Sequence, residues 1–131
     1  MLQVASENEV ARLFDGFVEA FATLDGKIVG RLFVAPGVAL RRDGTLQGFS
    51  TQQDVEAYYQ AALDHYRASG ARCCRYADLE VRFLNDNSAV ATASWDLLRD
   101  NGSTISHWRQ AYFISRFGGE WRIYGSAFVS E

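Results

Sequence analysis

The chain has 131 residues, 48% hydrophobic and 22% charged, a balance that fits one globular domain (residues 1–131) with a sizeable core. Its 13 basic and 16 acidic residues are mixed throughout and leave a net charge of −3, so no basic stripe exists for a nucleic acid. The opening MLQVASENEV lacks a basic stretch followed by an apolar one, and no apolar run approaches the roughly 18 residues of a membrane span. A cytoplasmic protein without membrane contact is expected. Cys73 and Cys74 are strand neighbours that point to opposite faces, which disfavours a disulfide between them. With no second cysteine pair, zinc is not expected, and the sequence gives no signal for another metal or a cofactor.

Ser6-Glu7-Asn8-Glu9 has the form of a capping box and opens a helix. Val10, Leu13, Phe14, Phe17, Val18 and Phe21 recur at three-four spacing as its buried stripe. Asp25-Gly26 breaks it, and a short second helix is expected from Lys27 to Phe33, ahead of the single proline, Pro36. Val38 to Arg42 alternates like an edge strand, Asp43-Gly44 signals a turn, and Thr45 to Gly48 returns as the second strand of a hairpin. Ser50 or Thr51 then caps a third helix that ends near Gly70, with Val55, Tyr58, Tyr59, Ala62 and Tyr66 on one face.

From Arg72 to Leu84 the period becomes two, with Leu79, Val81 and Phe83 inward, and Asn85-Asp86-Asn87 turns the chain into a meander. Its strands are SAVATASWDLLRD, STISHWRQAYFISRF and EWRIYGSAFV, joined by Asn101-Gly102 and Gly118-Gly119. The fold class is therefore α+β: a curved, mainly antiparallel sheet wrapped around three helices from the N-terminal half, as an open cone.

The order of elements, with Asp43-Gly44-Thr45-Leu46-Gln47-Gly48, Asn87-Ser88-Ala89-Val90-Ala91 and Gly118-Gly119-Glu120-Trp121-Arg122-Ile123, resembles the nuclear transport factor 2-like superfamily and its SnoaL-like branch. The resemblance spans almost the whole chain and implies an α+β cone, usually dimeric. It covers ketosteroid isomerases, polyketide cyclases, epoxide hydrolases, dehydratases and small-ligand binders. Ketosteroid isomerases of the superfamily place a carboxylate base on the early hairpin and a hydrogen-bonding acid in the meander. Neither is evident here, nor is the Asp-Arg-Asp set of the epoxide hydrolases.

If Asn101-Gly102 and Gly118-Gly119 are two-residue loops, Trp95 falls opposite Trp108, Ala93 opposite Gln110, Ala91 opposite Tyr112, Ile114 opposite Ile123 and Tyr112 opposite Gly125. One face then gathers Trp95, Trp108, Gln110, Tyr112, Trp121, Ile123, Gly125 and Ala127, and is taken as concave. Phe17, Tyr58, Trp95, Trp108, Gln110 and Tyr112 are the expected lining of an apolar ligand pocket. The alternative is that these aromatics simply fill the core. Val90, Ala111, Phe113, Tyr124 and Phe128 fall on the convex face and are the expected homodimer surface.

The candidates for acid-base chemistry are His65 with Tyr58 on the third helix, and Asp96 with His107, which the register sets opposite each other with Arg109 adjacent. The same register puts Asp96 and His107 on the convex side, where a cross-strand charge pair is the simpler reading. Two functions follow. The favoured one is a homodimeric cone that binds a small hydrophobic molecule. The other is a lyase, isomerase or cyclase-type enzyme moving a proton on an apolar carbonyl compound, with His65 or the Asp96 and His107 pair as base and Tyr58 or Tyr112 as hydrogen-bond donor.

Overall fold

The computed structural model of the chain describes residues 6–131. The first five residues of the stretch read for a leader lie outside them. The order is α1 (Glu7–Ala22), α2 (Gly26–Gly30), β1 (Phe33–Leu40), β2 (Leu46–Phe49), α3 (Gln52–Ala68), β3 (Ala71–Asn85), β4 (Ser88–Arg99), β5 (Thr104–Phe117) and β6 (Glu120–Ser130). The six strands form one sheet in the order β2-β1-β6-β5-β4-β3, antiparallel except where β1 meets β6. The expected α+β cone is what the chain builds.

The N-terminus of α1 follows the sequence signal, since Ser6 Oγ accepts the Glu9 backbone N–H at 3.3 Å. The Glu9 carboxylate, however, works across the sheet. Its Oε2 accepts from Arg116 Nη2 at 2.8 Å and from Trp121 Nε1 at 3.0 Å, which ties the first turn of α1 to β5 and β6. Further along, Phe14 is fully buried against Tyr112, Tyr76 and Trp95, with ring centroids 5.2, 5.8 and 6.2 Å away. Ala89, Ala91 and Ala93 of β4 are likewise fully buried.

Helix α2 is shorter than its pattern suggested. It ends at Gly30, and Phe33 already belongs to β1. The expected extension to Phe33 assumed that Pro36 closes a helix. Instead Pro36 lies within β1, in the stretch between Phe33 and Val38 where pairing with β6 is interrupted and β2 is not yet alongside, so its missing N–H leaves no ladder bond unmade. Helix α2 packs so closely on α3 that a Cβ on Gly26 would stand 2.6 Å from the Glu56 carbonyl oxygen. Helix α3 begins at Thr51, one of the two expected caps, whose side chain and that of Asp54 complete a reciprocal capping box.

Three of the sheet's register irregularities bear on which side chains face the interior. Around Asp78, which sits at φ +53°, β3 carries one residue more than β4. The uniform alternation expected from Arg72 to Leu84 is therefore broken, and Cys74 and Tyr76 face the same interior as Leu79, Val81 and Phe83. The β4–β5 loop holds three residues rather than two, closed by Arg99 N–H donating to the Ser103 carbonyl at 2.9 Å. An extra residue at Ile105 offsets that difference, so Trp95 pairs with Trp108, Ala93 with Gln110 and Asp96 with His107, as the shorter loop would also give. Gly118 and Gly119, at φ +60° and +85°, form the expected two-residue loop, and Ile114 pairs with Ile123.

The third irregularity overturns part of the face assignment. An extra residue at Tyr124 sets Phe113 opposite Gly125 and Tyr112 opposite Ser126, not opposite Gly125. Beyond this bulge the two faces of β6 exchange. Ser126 and Phe128 line the cone interior, whereas a Cβ on Gly125 would meet the Phe113 ring at 3.2 Å on the outside. Phe128 thus leaves the convex set in which the unbulged register had put it.

Candidate functional site

The interior of the cone is not filled. A cavity of about 620 Å³ lies between α3, the sheet and the start of the β1–β2 loop. Phe17 and Phe21 of α1 and Tyr58, Tyr59, Ala62 and Tyr66 of α3 form one wall. Cys74, Trp95, Trp108, Gln110, Tyr112 and Ser126 form the sheet wall, and Leu40, Arg41, Arg42, His65, Ser69 and Phe128 also border the space. All six side chains expected to line a pocket, namely Phe17, Tyr58, Trp95, Trp108, Gln110 and Tyr112, border this one cavity.

The wall is a continuous aromatic shell. Phe17 and Trp95 lie 5.1 Å apart, Tyr58 and Tyr59 5.2 Å, and Tyr66 stacks on Trp108 at 6.4 Å. Such contacts fix ring positions as well as burying area. The polar atoms are few. Trp108 Nε1 donates to Gln110 Oε1 at 3.0 Å, which holds the carboxamide and leaves its NH₂ group as a donor. Trp95 Nε1 is buried near the Tyr112 hydroxyl but closes no hydrogen bond.

Tyr112 is 4% exposed, and its hydroxyl enters none of the hydrogen bonds found among the described residues. Burial raises its pKa far above the ordinary phenol value, and the Trp95 N–H offsets part of that rise. Burial also raises Tyr59 and Tyr66, the latter opposed by the positive charge of Arg42. Tyr59, Tyr66 and Tyr112 are thus neutral donors. Cys74, pushed up to about 12 by burial and then by neighbouring Cys73, is an unreactive thiol rather than a nucleophile.

The acid-base candidates separate. His65 borders the cavity as an exposed side chain 6.1 Å from the Tyr66 ring, and among the described residues no carboxylate pairs with it. Asp96 and His107 do pair, Nδ1 to Oδ1 at 2.6 Å, with Arg75 Nε donating to Asp96 Oδ2 at 2.9 Å. His107 first and Arg75 second hold the Asp96 carboxyl below its ordinary range. This cluster lies on the convex side and borders no part of the cavity. Nearby Arg109 is taken by Ser94 Oγ and the Asp78 carbonyl, each at 3.0 Å, and by Glu80 at 3.4 Å. Asp54, on the His65 flank of α3, is spent in the capping box. Among the described residues no Asp or Glu borders the cavity, and no group of three His, Cys, Asp or Glu side chains is placed to hold a metal.

Sequence reasoning missed Tyr59, Tyr66, Cys74, Ser126 and Phe128 as lining residues. The first two were already on the correct helix face. Cys74 and the pair Ser126 and Phe128 are brought inward by bulges that no turn signal marks.

The chain belongs to the family of NTF2-like proteins designated DUF6841, whose model matches residues 7–131. That description names the superfamily and not the SnoaL-like branch. The fold is shared by a protein of unknown function with a cystatin-like fold from Nostoc punctiforme (TM-score 0.79, 13% identity, covering 99% of this chain and 96% of the other). It is shared by an NTF2-like protein of unknown function from Shewanella oneidensis MR-1 (0.73, 15%, 92% and 96%). A candidate calcium/calmodulin dependent protein kinase II association domain from Xanthomonas campestris is also similar (0.71, 22%, 99% and 93%). No curated protein matches the chain.

Proposed function

We propose that the protein is a non-catalytic cone that binds one small, largely apolar molecule, and that it acts as a homodimer through its convex sheet face. The observation that carries this reading is the aromatic cavity of about 620 Å³ whose border holds few polar groups and, among the described residues, no carboxylate. The Tyr112 hydroxyl is the deep hydrogen-bond donor in this reading, suited to a carbonyl or hydroxyl oxygen. Half-buried Val90, Ala111, Phe113 and Tyr124 on the outer face, with Phe113 and Tyr124 rings 6.2 Å apart, support the dimer surface. The free thiols Cys73 and Cys74 fit a reducing, cytoplasmic compartment.

A thermal-shift screen of steroid, terpene and polyketide-like compounds tests the reading, since a ligand selective for the native state raises Tm. At least one class should raise Tm in the wild type. Tyr112→Phe should weaken oxygen-bearing hits by roughly fivefold, about one neutral hydrogen bond, without changing hydrocarbons. No shift with any class would refute it.

The enzymatic alternative draws on one observation: the His65 imidazole and the Tyr112 hydroxyl border the same cavity. A proton-transfer enzyme built on these residues needs His65 as base. His65→Ala should leave ligand affinity unchanged under the binding reading and abolish turnover of a bound carbonyl compound under the alternative.

A further inference from the structure

We infer that the ligand of this cavity is an apolar molecule bearing a single negative charge, held with its apolar body among the aromatic rings and its anionic group at the mouth between Arg41 and Arg42. The inference rests on the ligand-binding reading and adds the sign and orientation of the ligand. Charged side chains border the cavity in one sign only. Arg41 and Arg42 are present, and no carboxylate is, among the described residues. A cationic ligand would meet like charge at the entrance and no counterion inside.

Both guanidiniums have donors to spare. Arg41 donates Nε to Thr45 Oγ1 at 3.0 Å, and Arg42 directs Nε to Glu131 Oε1 at 3.2 Å, so neither contact uses the terminal NH₂ groups. A carboxylate or sulfonate takes such a fork in two parallel hydrogen bonds. The Arg42–Glu131 pair is itself weakly held, its side chains 54% and 65% exposed, and yields to a better-placed anion. Asp43, the remaining acid of the loop, is occupied by the Thr45 backbone N–H and hydroxyl.

Arg42 also faces inward. Its guanidinium lies 5.0 Å over the ring of Phe128, a cavity-lining residue, and its charge is felt by Tyr66 inside the wall. A charge against a low-dielectric wall acts more strongly than the same charge in bulk water. The bulge at Tyr124 turns Phe128 to the inner face, where it lies beneath Arg42.

The test uses two probes of the same shape, 1-pyrenebutyrate and its neutral amide 1-pyrenebutyramide, titrated by pyrene fluorescence. The carboxylate should bind about fivefold or more tightly than the amide at low salt, and its advantage should shrink as ionic strength rises. Arg41→Gln/Arg42→Gln should weaken the carboxylate far more than the amide and so remove the advantage, and Arg41→Lys/Arg42→Lys should restore part of it. Equal affinities in the wild type, or an advantage that survives the double Gln variant, would overturn the anionic ligand while leaving the cavity as a binding site. Failure of both probes to bind would overturn the ligand-binding reading and this inference with it.

Discussion

Phe14 shows how one side chain sets the depth of the cone. It is fully buried and touches Tyr76, Trp95 and Tyr112 at once, so it forms the floor on which the cavity aromatics rest. Phe14→Ala should lower stability by about 3–5 kcal/mol, the usual cost of removing a core aromatic, read as a drop in the urea midpoint with unchanged slope. Glu9 is the second such residue. Its Trp121 hydrogen bond is the largest influence and lowers its pKa below the ordinary carboxylate value in the folded protein; burial opposes this next, and the Arg116 charge then adds to the lowering. A carboxylate depressed on folding stabilises above its unfolded pKa, and that contribution is lost as pH falls through the folded value. The Tm advantage of wild type over Glu9→Gln should therefore be present at pH 7 and fade in the acid range below 4.5. An advantage independent of pH down to 2 would contradict the assignment.

At the scale of elements, the helices are held by a few defined devices. The capping box at Thr51 satisfies backbone donors at the start of α3, the helix that supplies most of one cavity wall. Thr51→Ala should cost about 1 kcal/mol. Because the change is local to the cap, it should leave probe binding intact at temperatures where the protein remains folded. At the other contact of α3, Gly26 cannot gain a side chain without displacing backbone of Glu56 and Gln60, whose atoms lie 2.6 and 2.7 Å from the Cβ position. Gly26→Val should push α2 off α3 and lower Tm well beyond the Thr51→Ala effect. Comparable melting curves for the two variants would refute the tight packing.

At the scale of the whole molecule, the sheet has two surfaces with different work in the proposed reading. The concave one lines a cavity and the convex one carries the half-buried patch assigned to the dimer. Phe113→Asp and Tyr124→Asp should each shift size-exclusion elution to the monomer position. Phe128→Asp should leave elution unchanged and weaken binding of both pyrene probes, because Phe128 faces the cavity. A monomeric Phe128→Asp protein with normal binding would restore the unbulged register for the end of β6.

What the sequence determined by itself is what depends on local periodicity and turn chemistry. The α1 stripe, a cap for α3 at Ser50 or Thr51, the Gly118-Gly119 loop and the opposition of Trp95 to Trp108 all follow from spacings of a few residues. The register through the β4–β5 loop came out correctly only because an extra residue in the loop and another at Ile105 offset each other. The tertiary structure alone decided the rest. Bulges at Asp78 and Tyr124 arise where a strongly bent sheet must shorten one face, a demand that comes from wrapping the helices and leaves no signature in neighbouring residues. They turn Cys74, Ser126 and Phe128 inward and bring Phe128 under Arg42. In the same way, that His65 stands at the mouth without a carboxylate while His107 has one outside is a matter of three-dimensional placement, because it depends on which distant strands and helices share a face.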